Sequence, residues 1–372
     1  MKKLTLPFGV KKPILACGAD LKGAFALAKG RDAYLFDGFG DLSDLDNFTK
    51  YEKAIEAAKK KFKIDPQVIV CDMHPGYFST QFAESCQLSA VSPQLYRVQH
   101  HEAHIASAIT DNDINGEVLG AAFDGTGYGP DGNIWGGEFF VGNIRNMKRA
   151  AHLDYIPMPG GEACIREPWR MAASYLYAIF GPNFLKLKMD FVKSIDKNSW
   201  TILKEMIDKK LNSPLTSSMG RLFDAAGSMI LNKRKAKFEA ELPIELEDIA
   251  DENENGHYDF ELRKTDGLIS IDMSGAIRGV LKDVDKKVPI SRISAKFHNM
   301  IAFIILKAAG RHKARRVALS GGVFQNKFLK ERSVRLLKDN GFKVYTHLRV
   351  QTSDSGIPLG QIAIANARAA CV

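Results

Sequence analysis

The sequence predicts an α/β protein of two related lobes with a cleft between them. Apolar segments of strand length alternate with segments of helical periodicity, and Gly-rich turns follow strand ends in both halves, at 124–129 and 320–322. Polar groups at such strand ends are well placed to meet a ligand, so we expect the site in the cleft. With 372 residues, and roughly 100–200 residues per domain, the chain can form two lobes with separate cores.

The composition excludes several classes of protein. Apolar residues make up 45% of the chain and charged residues 26%, the balance of a folded globular protein. The longest purely apolar run, 300–306, is far below the roughly 20 residues of a membrane span, so we expect no membrane association. The N-terminus lacks an apolar signal segment, which predicts a cytoplasmic protein. Five cysteines, an odd number without a CxxC pair, indicate neither a disulfide framework nor a thiolate zinc site.

The net charge is +9, from 52 Lys and Arg against 43 Asp and Glu. These cations are spread along the chain, and their densest run, 59–63, lies on a stretch of helical periodicity and is expected to be a solvated face. Because no basic patch is interleaved with aromatic residues, a nucleic-acid interface is not indicated.

The predicted elements follow in order. A strand at 13–19 precedes two short strands at 24–28 and 33–36, which a hairpin turn at 29–32 should join. Further along, the patterns predict a helix at 44–62, strands at 68–71, 96–99 and 118–123, and a helix at 101–109. After residue 150 they predict helices at 169–180, 199–211, 219–232, 239–249 and 290–310, a hairpin at 258–271, a strand at 316–319 and a last helix after Asp354.

These elements suggest three regions. We place a first lobe at residues 1–142 and a second lobe, with a helical insertion, at 143–347. The C-terminal segment 348–372 should carry Asp354 back to the cleft.

A histidine pair is the first candidate site. His100 and His104 are four residues apart, so on a helix both imidazoles project from one face and can share a cation. The pattern differs from HExxH because Glu102 lies between the two histidines and faces elsewhere. Taken alone, the spacing fits surface histidines at a helix N-terminus equally well.

Carboxylates next to glycines form the second group of candidates. Asp124 follows a buried strand and opens a Gly-rich turn, which can bring an acid and backbone N–H groups to a ligand, although a plain hairpin turn remains open. The Gly-Gly turn at 321–322 can approach a nucleotide or can be a tight βα turn. Asp354 is a ligand candidate or a helix cap.

Two stretches with arginines, 166–170 and 217–224, could contact phosphate or form salt bridges between the lobes. A covalent mechanism is not expected, since the sequence has no GxSxG elbow and no cysteine beside a histidine.

Together these motifs resemble the C-terminal carbamoyl-transfer domain of the HypF-type hydrogenase maturation carbamoyltransferases, which is related to the O-carbamoyltransferases and the TsaD-type enzymes. The matching stretches are 18–22, 71–75, 98–104, 124–129, 134–138, 165–171, 217–225, 297–299, 320–326 and 354–361. The resemblance runs from about residue 13 to 367. It implies the duplicated actin/Hsp70-like (ASKHA) ATPase fold, with a nucleotide and a metal in the cleft.

The resemblance also implies roles for individual residues. One divalent metal, iron or zinc, is expected on His100, His104, Asp124 and Asp354, a set of nitrogen and oxygen donors that does not itself select the metal. Lys22 should neutralise phosphate, and His101 is a candidate base for the acceptor. The expected nucleotide-binding residues are Lys22, Gly125, Thr126, Gly127, Asp224, Gly321, Gly322 and Asn326. The nucleotide would be ATP or carbamoyl-adenylate, which Mg²⁺ can accompany.

The implied reaction moves a carbamoyl group from carbamoyl-adenylate to the C-terminal cysteine thiol of HypE, as a precursor of the cyanide ligands of [NiFe]-hydrogenase. On this resemblance we expect no counterpart in these 372 residues of the acylphosphatase, zinc-finger and YrdC-like domains of full-length HypF proteins, so the sequence is either an excised domain or a stand-alone version. We therefore expect a YrdC-like protein or domain to supply the adenylate, which the chain alone should not make from carbamoyl phosphate and ATP. Two alternatives stay open: an O-carbamoyltransferase acting on a small-molecule hydroxyl, and a non-catalytic ATP-binding docking module with a structural metal.

Overall fold

The computed structural model describes residues 1–88, 93–265 and 267–369. Residue 266 of the predicted 258–271 hairpin, the last three residues of the 348–372 segment, and with them Cys371, lie outside the described residues. Among the helices described, none is long and apolar enough to cross a membrane.

The described strands and helices alternate through the first third of the chain, and helices dominate the middle. The strands are β1 (Lys2–Ala16), β2 (Phe25–Phe36), β3 (Val68–Asp72), β4 (Gln94–Val98), β5 (Val118–Phe123), β6 (Gly137–Asn143), β7 (Asn146–Leu153), β8 (Ile156–Pro157), β9 (Leu215–Thr216), β10 (Glu261–Thr265), β11 (Leu268–Asp272), β12 (Arg316–Ser320) and β13 (Lys343–Tyr345). The helices are α1 (Leu45–Phe62), α2 (Phe78–Ser85), α3 (His100–Asp111), α4 (Ala163–Arg166), α5 (Trp169–Phe180), α6 (Asp190–Lys193), α7 (Lys197–Asp208), α8 (Met219–Leu231), α9 (Glu241–Asp248), α10 (Ser274–Asp285), α11 (Ile290–Gly310), α12 (Lys327–Asp339) and α13 (Ile357–Ala369).

Two sheets repeat one connectivity. The smaller sheet has the order β2-β1-β3-β4 and the larger one the order β10-β11-β7-β6-β5-β12-β13. In the smaller sheet β1 pairs antiparallel with β2 and parallel with β3, and β3 pairs parallel with β4. In the larger sheet β5, β6, β12 and β13 repeat these three pairings: β5 pairs antiparallel with β6 and parallel with β12, and β12 pairs parallel with β13. The repeat agrees with the predicted α/β protein of two related, actin/Hsp70-like lobes.

The change from one sheet to the other falls between β4 and β5, so the predicted boundary at 142/143 does not coincide with it. β5 and β6 begin before that boundary and yet pair inside the larger sheet. The hydrogen bonds of the sheet, rather than the position of the helical insertion, decide where the lobes divide.

Two helices pack against each other between the sheets. α3 contacts β5, β6 and β12 of the larger sheet, and α13 contacts all four strands of the smaller one. They approach closely at Gly360, where an added Cβ would lie 1.9 Å from the carbonyl oxygen of Ala103. This contact joins the helix of the histidine pair to the helix that follows Asp354.

The predicted hairpin turn at 29–32 is wrong. β2 continues from Phe25 to Phe36 and pairs with β1 along most of its length, with irregular register around Val10. Gly30 adopts a φ of 59° within the strand, a left-handed conformation that glycine tolerates in a bulge. The reversal between the two strands lies instead at residues 17–24.

Candidate functional site

The histidine pair lies at the start of α3, directly after β4. Gln99 is the N-cap, and its side-chain oxygen accepts a hydrogen bond from the backbone N–H of Glu102 at 2.9 Å. His100 and His104 are both 1% exposed, and their ring centroids are 5.0 Å apart. The surface-histidine alternative is therefore excluded, because both imidazoles point into the protein.

Two carboxylates complete the cluster. Nε2 of His104 lies 2.9 Å from Oδ2 of Asp124 and 3.5 Å from Oδ1 of Asp354, and Nε2 of His100 lies 3.7 Å from the same Asp354 oxygen. One donor atom from each of these four residues falls within 4.8 Å of the others. All four predicted metal-binding residues are thus brought together.

Asp72, which the sequence analysis did not assign to the site, orients the pair. It ends β3, and its Oδ2 accepts a 2.8 Å hydrogen bond from Nδ1 of His100. Its other oxygen accepts from the backbone N–H of His74 at 2.9 Å. With Nδ1 of His100 used in this way, Nε2 is the atom left to face the cluster, an arrangement common behind metal-bound histidines.

The donor chemistry of this cluster fits a divalent metal ion. The Nε2 atoms of His100 and His104 are buried and make no hydrogen bond in proper geometry with any described residue. Two imidazole nitrogens and two carboxylate oxygens suit iron, zinc or manganese. Because burial favours the neutral imidazole while Asp72 and Asp354 favour the charged one, the net effect is a raised pKa of His100. The carboxylates of Asp72 and Asp354 therefore favour a positive charge next to them, and a bound cation would supply it.

Asp124 connects the cluster to the two Gly-rich turns. Its Oδ1 accepts from the N–H of Gly125 at 2.7 Å, and its Oδ2 accepts from the N–H of Gly322 at 3.0 Å. A Cβ on Gly322 would lie 3.0 Å from Oδ1 of Asp124, so a side chain there would crowd the carboxylate. Since β5 and β12 are neighbours, the turns that follow them meet at one edge of the sheet.

A cavity of about 330 Å³ opens beside Asp124 and Asp354. Its walls come from the β1–β2 turn, the two Gly-rich turns, α8 and the start of α9. Among the predicted nucleotide-binding residues, those lining it are Lys22, Gly125, Thr126, Gly322 and Asn326. The metal cluster and the cavity therefore form one continuous site in the cleft.

Three predicted nucleotide-binding residues do not line this cavity. Gly127 packs behind it, where a Cβ would lie 2.4 Å from Cε1 of His101, and Gly321 has a φ of 102° against the backbone of Phe123. Asp224 is buried beside Arg221, and burial raises the pKa of its carboxyl to about 6. Each of the three lies beside a residue that does line the cavity: Gly127 beside Thr126, Gly321 beside Gly322 and Asp224 beside Arg221.

His101, the candidate acceptor base, is fully buried and also lies outside the cavity lining. Its Nδ1 lies 3.1 Å from the side-chain nitrogen of Gln99, which donates to it in the tautomer with the ring proton on Nε2. Burial, together with the neighbouring His100 and His104, lowers the pKa of His101 well below its ordinary value. Its imidazole is therefore held neutral.

The cavity also has lining residues that the sequence analysis did not assign individually. Arg221 and Glu239 lie near Gly125, and Ala240 has a left-handed φ of 64° at the start of α9. Among the sequence motifs, only the arginine-bearing stretch 217–224 indicates this part of the cavity lining. The other contributors lack a motif, because the segment at 239–247 reaches the cavity through the packing of α9 on α8.

The two-lobed architecture and the site in its cleft define a protein of the actin/Hsp70-like class. Residues 9–111 match the sequence model of the HypF Kae1-like domain, and residues 120–361 match that of the carbamoyltransferase Kae1-like domain, second subdomain. The chain belongs to this family of Kae1-like HypF carbamoyltransferase domains.

Named relatives agree with this assignment. The chain is 32% identical to the carbamoyltransferase HypF of Synechocystis over 96% of its own length and 48% of that protein, and so spans about half of it. It is also 32% identical to a carbamoyltransferase HypF homolog of Cupriavidus necator, with 98% of the chain and 94% of the relative covered.

Solved structures of similar proteins extend the agreement to three dimensions. A full-length HypF in a phosphate- and nucleotide-bound form superposes with a TM-score of 0.92 at 38% identity, over 98% of this chain and 57% of that one. HypF of T. kodakarensis gives a TM-score of 0.87 at 26% identity, over 99% of this chain and 49% of that one.

Proposed function

We propose that this chain is a carbamoyltransferase of [NiFe]-hydrogenase maturation, which moves a carbamoyl group from carbamoyl-adenylate to the C-terminal cysteine thiol of HypE. The observation that carries the proposal is the continuity of the site. Asp124 and Asp354 belong both to the buried histidine–carboxylate cluster and to the wall of the 330 Å³ cavity. A ligand in the cavity thus lies beside a metal held by the cluster.

Different residues of the cavity would bind different parts of the nucleotide ligand. Lys22 brings a cation to the phosphoryl oxygens from the smaller-sheet side, and the backbone N–H groups near Gly125 and Gly322 lie at the edge where Asp124 is fixed. Asn326 contributes its amide to the nucleotide. A metal on the cluster, iron or zinc, would polarise the carbamoyl carbonyl as a Lewis acid.

The transfer itself needs no oxidant or reductant. The acceptor thiol gives its proton to a base, its sulfur bonds to the carbamoyl carbon, and the bond from that carbon to the phosphate oxygen breaks, so that AMP leaves with the electron pair. The role of His101 as the base for the acceptor remains a prediction. Its ring is fully buried and does not line the cavity. A YrdC-like protein or domain would supply the carbamoyl-adenylate, and Mg²⁺ can accompany the nucleotide.

The test is a transfer assay with purified, metal-loaded chain, carbamoyl-adenylate and HypE or its C-terminal peptide. Mass spectrometry should show one added carbamoyl group on the cysteine. The double variant His100→Ala/His104→Ala should contain no bound iron or zinc by elemental analysis and should not transfer. His257→Ala alters an exposed histidine that belongs neither to the cluster nor to the cavity lining, and this variant should both bind metal and transfer.

Transfer to a small-molecule hydroxyl with an unmodified peptide would favour the O-carbamoyltransferase alternative. If His104→Ala destabilised the fold and neither acceptor were modified by the wild type, the docking-module alternative would lead.

A further inference from the structure

Arg221 lies in α8, is 2% exposed and lines the cavity. A Cβ built on Gly125 would lie 3.5 Å from Nη2 of Arg221 and 3.6 Å from Oε1 of Glu239. The guanidinium is therefore next to the turn that follows Asp124, at the point where the cavity meets the metal cluster.

The carboxylate beside Arg221 does not satisfy its donors. Nη1 lies 3.0 Å from Oδ2 of Asp224, three residues further along the helix. Yet neither atom is in hydrogen-bond geometry, and Nε also has no partner among the described residues. A buried cation with open donors is costly unless another acceptor completes its hydrogen bonds.

Two other arginines that are at least half-buried have their Nε atoms paired with carboxylates of the described residues. Arg170, from the other arginine-bearing stretch, donates from Nε to Oε2 of Glu167 at 2.6 Å and does not line this cavity. Arg149 donates from Nε to Oε2 of Glu138, also at 2.6 Å, and from Nη1 to the hydroxyl of Tyr155, and only its Nη2 has no partner among the described residues. Arg221 differs from both because its Nε and Nη1 are unpaired among the described residues and because it lines the cavity beside Asp124.

We propose that Arg221 is a nucleotide-binding residue whose guanidinium donates to a phosphoryl oxygen of the nucleotide in the cavity. This inference rests on the proposed function, because it requires a nucleotide there. Arginine suits the role, since its planar fork can give two parallel hydrogen bonds to a phosphoryl group. With Lys22 from the β1–β2 turn and Arg221 from α8, the phosphoryl group meets one cation from each lobe.

The experiment compares AMP with adenosine, which differ only in the phosphoryl group, by calorimetric titration of the purified full chain. Arg221→Lys keeps the charge beside Asp224 but removes the fork, and Arg221→Met removes both. We expect AMP affinity to fall about tenfold or more in each variant. Adenosine affinity should stay within twofold of the wild type.

Arg170→Met is the matched control and should bind AMP normally. Like Arg221 and Asp224, Arg170 and Glu167 are an arginine and a carboxylate three residues apart in the sequence, but Arg170 does not line the cavity. Unchanged AMP affinity in Arg221→Lys and Arg221→Met would overturn the inference, as would equal losses for AMP and adenosine. If Arg221→Met does not fold, Arg221→Lys decides alone. Wild-type chain that binds no AMP would instead contradict the proposed function itself, and with it this role.

Discussion

The buried ring of His298 and the half-buried side chain of Asn326 are joined by a hydrogen bond, with 2.9 Å between Nε2 of the ring and Nδ2 of the amide. Nδ1 of His298 donates to the carbonyl oxygen of Ser294 at 2.8 Å, so Nε2 is left as the acceptor. Oδ1 of Asn326 accepts from the N–H of Leu329 and caps α12. One ring thus fixes the orientation of a side chain in the cavity wall.

Replacing that ring should weaken nucleotide binding without any direct contact being lost. In His298→Ala the amide of Asn326 keeps the N–H of Leu329 but loses the acceptor for its own N–H, so its orientation is held less firmly, and we expect AMP affinity to fall about tenfold. Calorimetric titration with AMP measures the change. His257→Ala should bind as the wild type does, and a normal AMP affinity in a folded His298→Ala protein would show that His298 does not position Asn326.

The fold should lose stability as the pH falls below about 6.5. Burial lowers the pKa of His298 to about 4, with a hydrogen bond to Ser294 opposing it. Between this value and the ordinary histidine pKa of about 6.5 the unfolded chain binds more protons, so the free energy of unfolding rises with pH.

One such group contributes on the order of 2 kcal/mol between pH 7 and pH 5. Urea unfolding at both pH values should therefore show a smaller difference for His298→Gln than for the wild type. The same difference in both proteins would mean that other groups cause the pH dependence.

Asp72→Asn should weaken metal binding although Asp72 is not itself in the donor cluster. The carboxylate fixes the ring of His100 through Nδ1, and loss of such a partner typically lowers metal affinity about 10- to 100-fold. Zinc competition against a chelator gives the affinity. Asp65→Asn, at an exposed position, is the control, and a zinc affinity equal to wild type in Asp72→Asn would contradict the orienting role.

Gly360→Ala should reduce metal content from a distance. Its Cβ would overlap the carbonyl oxygen of Ala103, so α13 must move away from α3, and Asp354 must move away from His104. Elemental analysis and the melting temperature report the two effects. Gly310→Ala, whose Cβ would meet nothing within 4 Å, should change neither strongly, and full metal content in a folded Gly360→Ala protein would refute the coupling.

Local patterns predicted much of the fold. The helices at 169–180 and 290–310 have the predicted bounds, because their apolar positions recur at helical spacing and Gly181 and Pro289 mark their ends. The four metal-binding candidates also come together as the resemblance implied.

Local patterns say less where long-range pairing decides the structure. The residues around Gly30 predict a turn, whereas β1 pairs with β2 across this position, and only the strand partner distinguishes a bulge from a hairpin turn. The lobe boundary depends on β5 pairing with β12, nearly 200 residues away. The sequence shows Asp72 only as an acid at the end of a buried strand. Its role as partner of His100 can be recognised only when the position of α3 beside that strand is known.

The metal cluster draws its atoms from α3, the end of β5 and the segment before α13, stretches that meet only after both sheets and the α3–α13 contact have assembled. Stoichiometric metal can therefore act as a reporter of complete assembly. A fragment that ends before β5 carries both histidines but neither carboxylate, and its complement carries the reverse. If two such fragments bind metal only after mixing, the metal content measures how much of the two fragments has associated in the native arrangement.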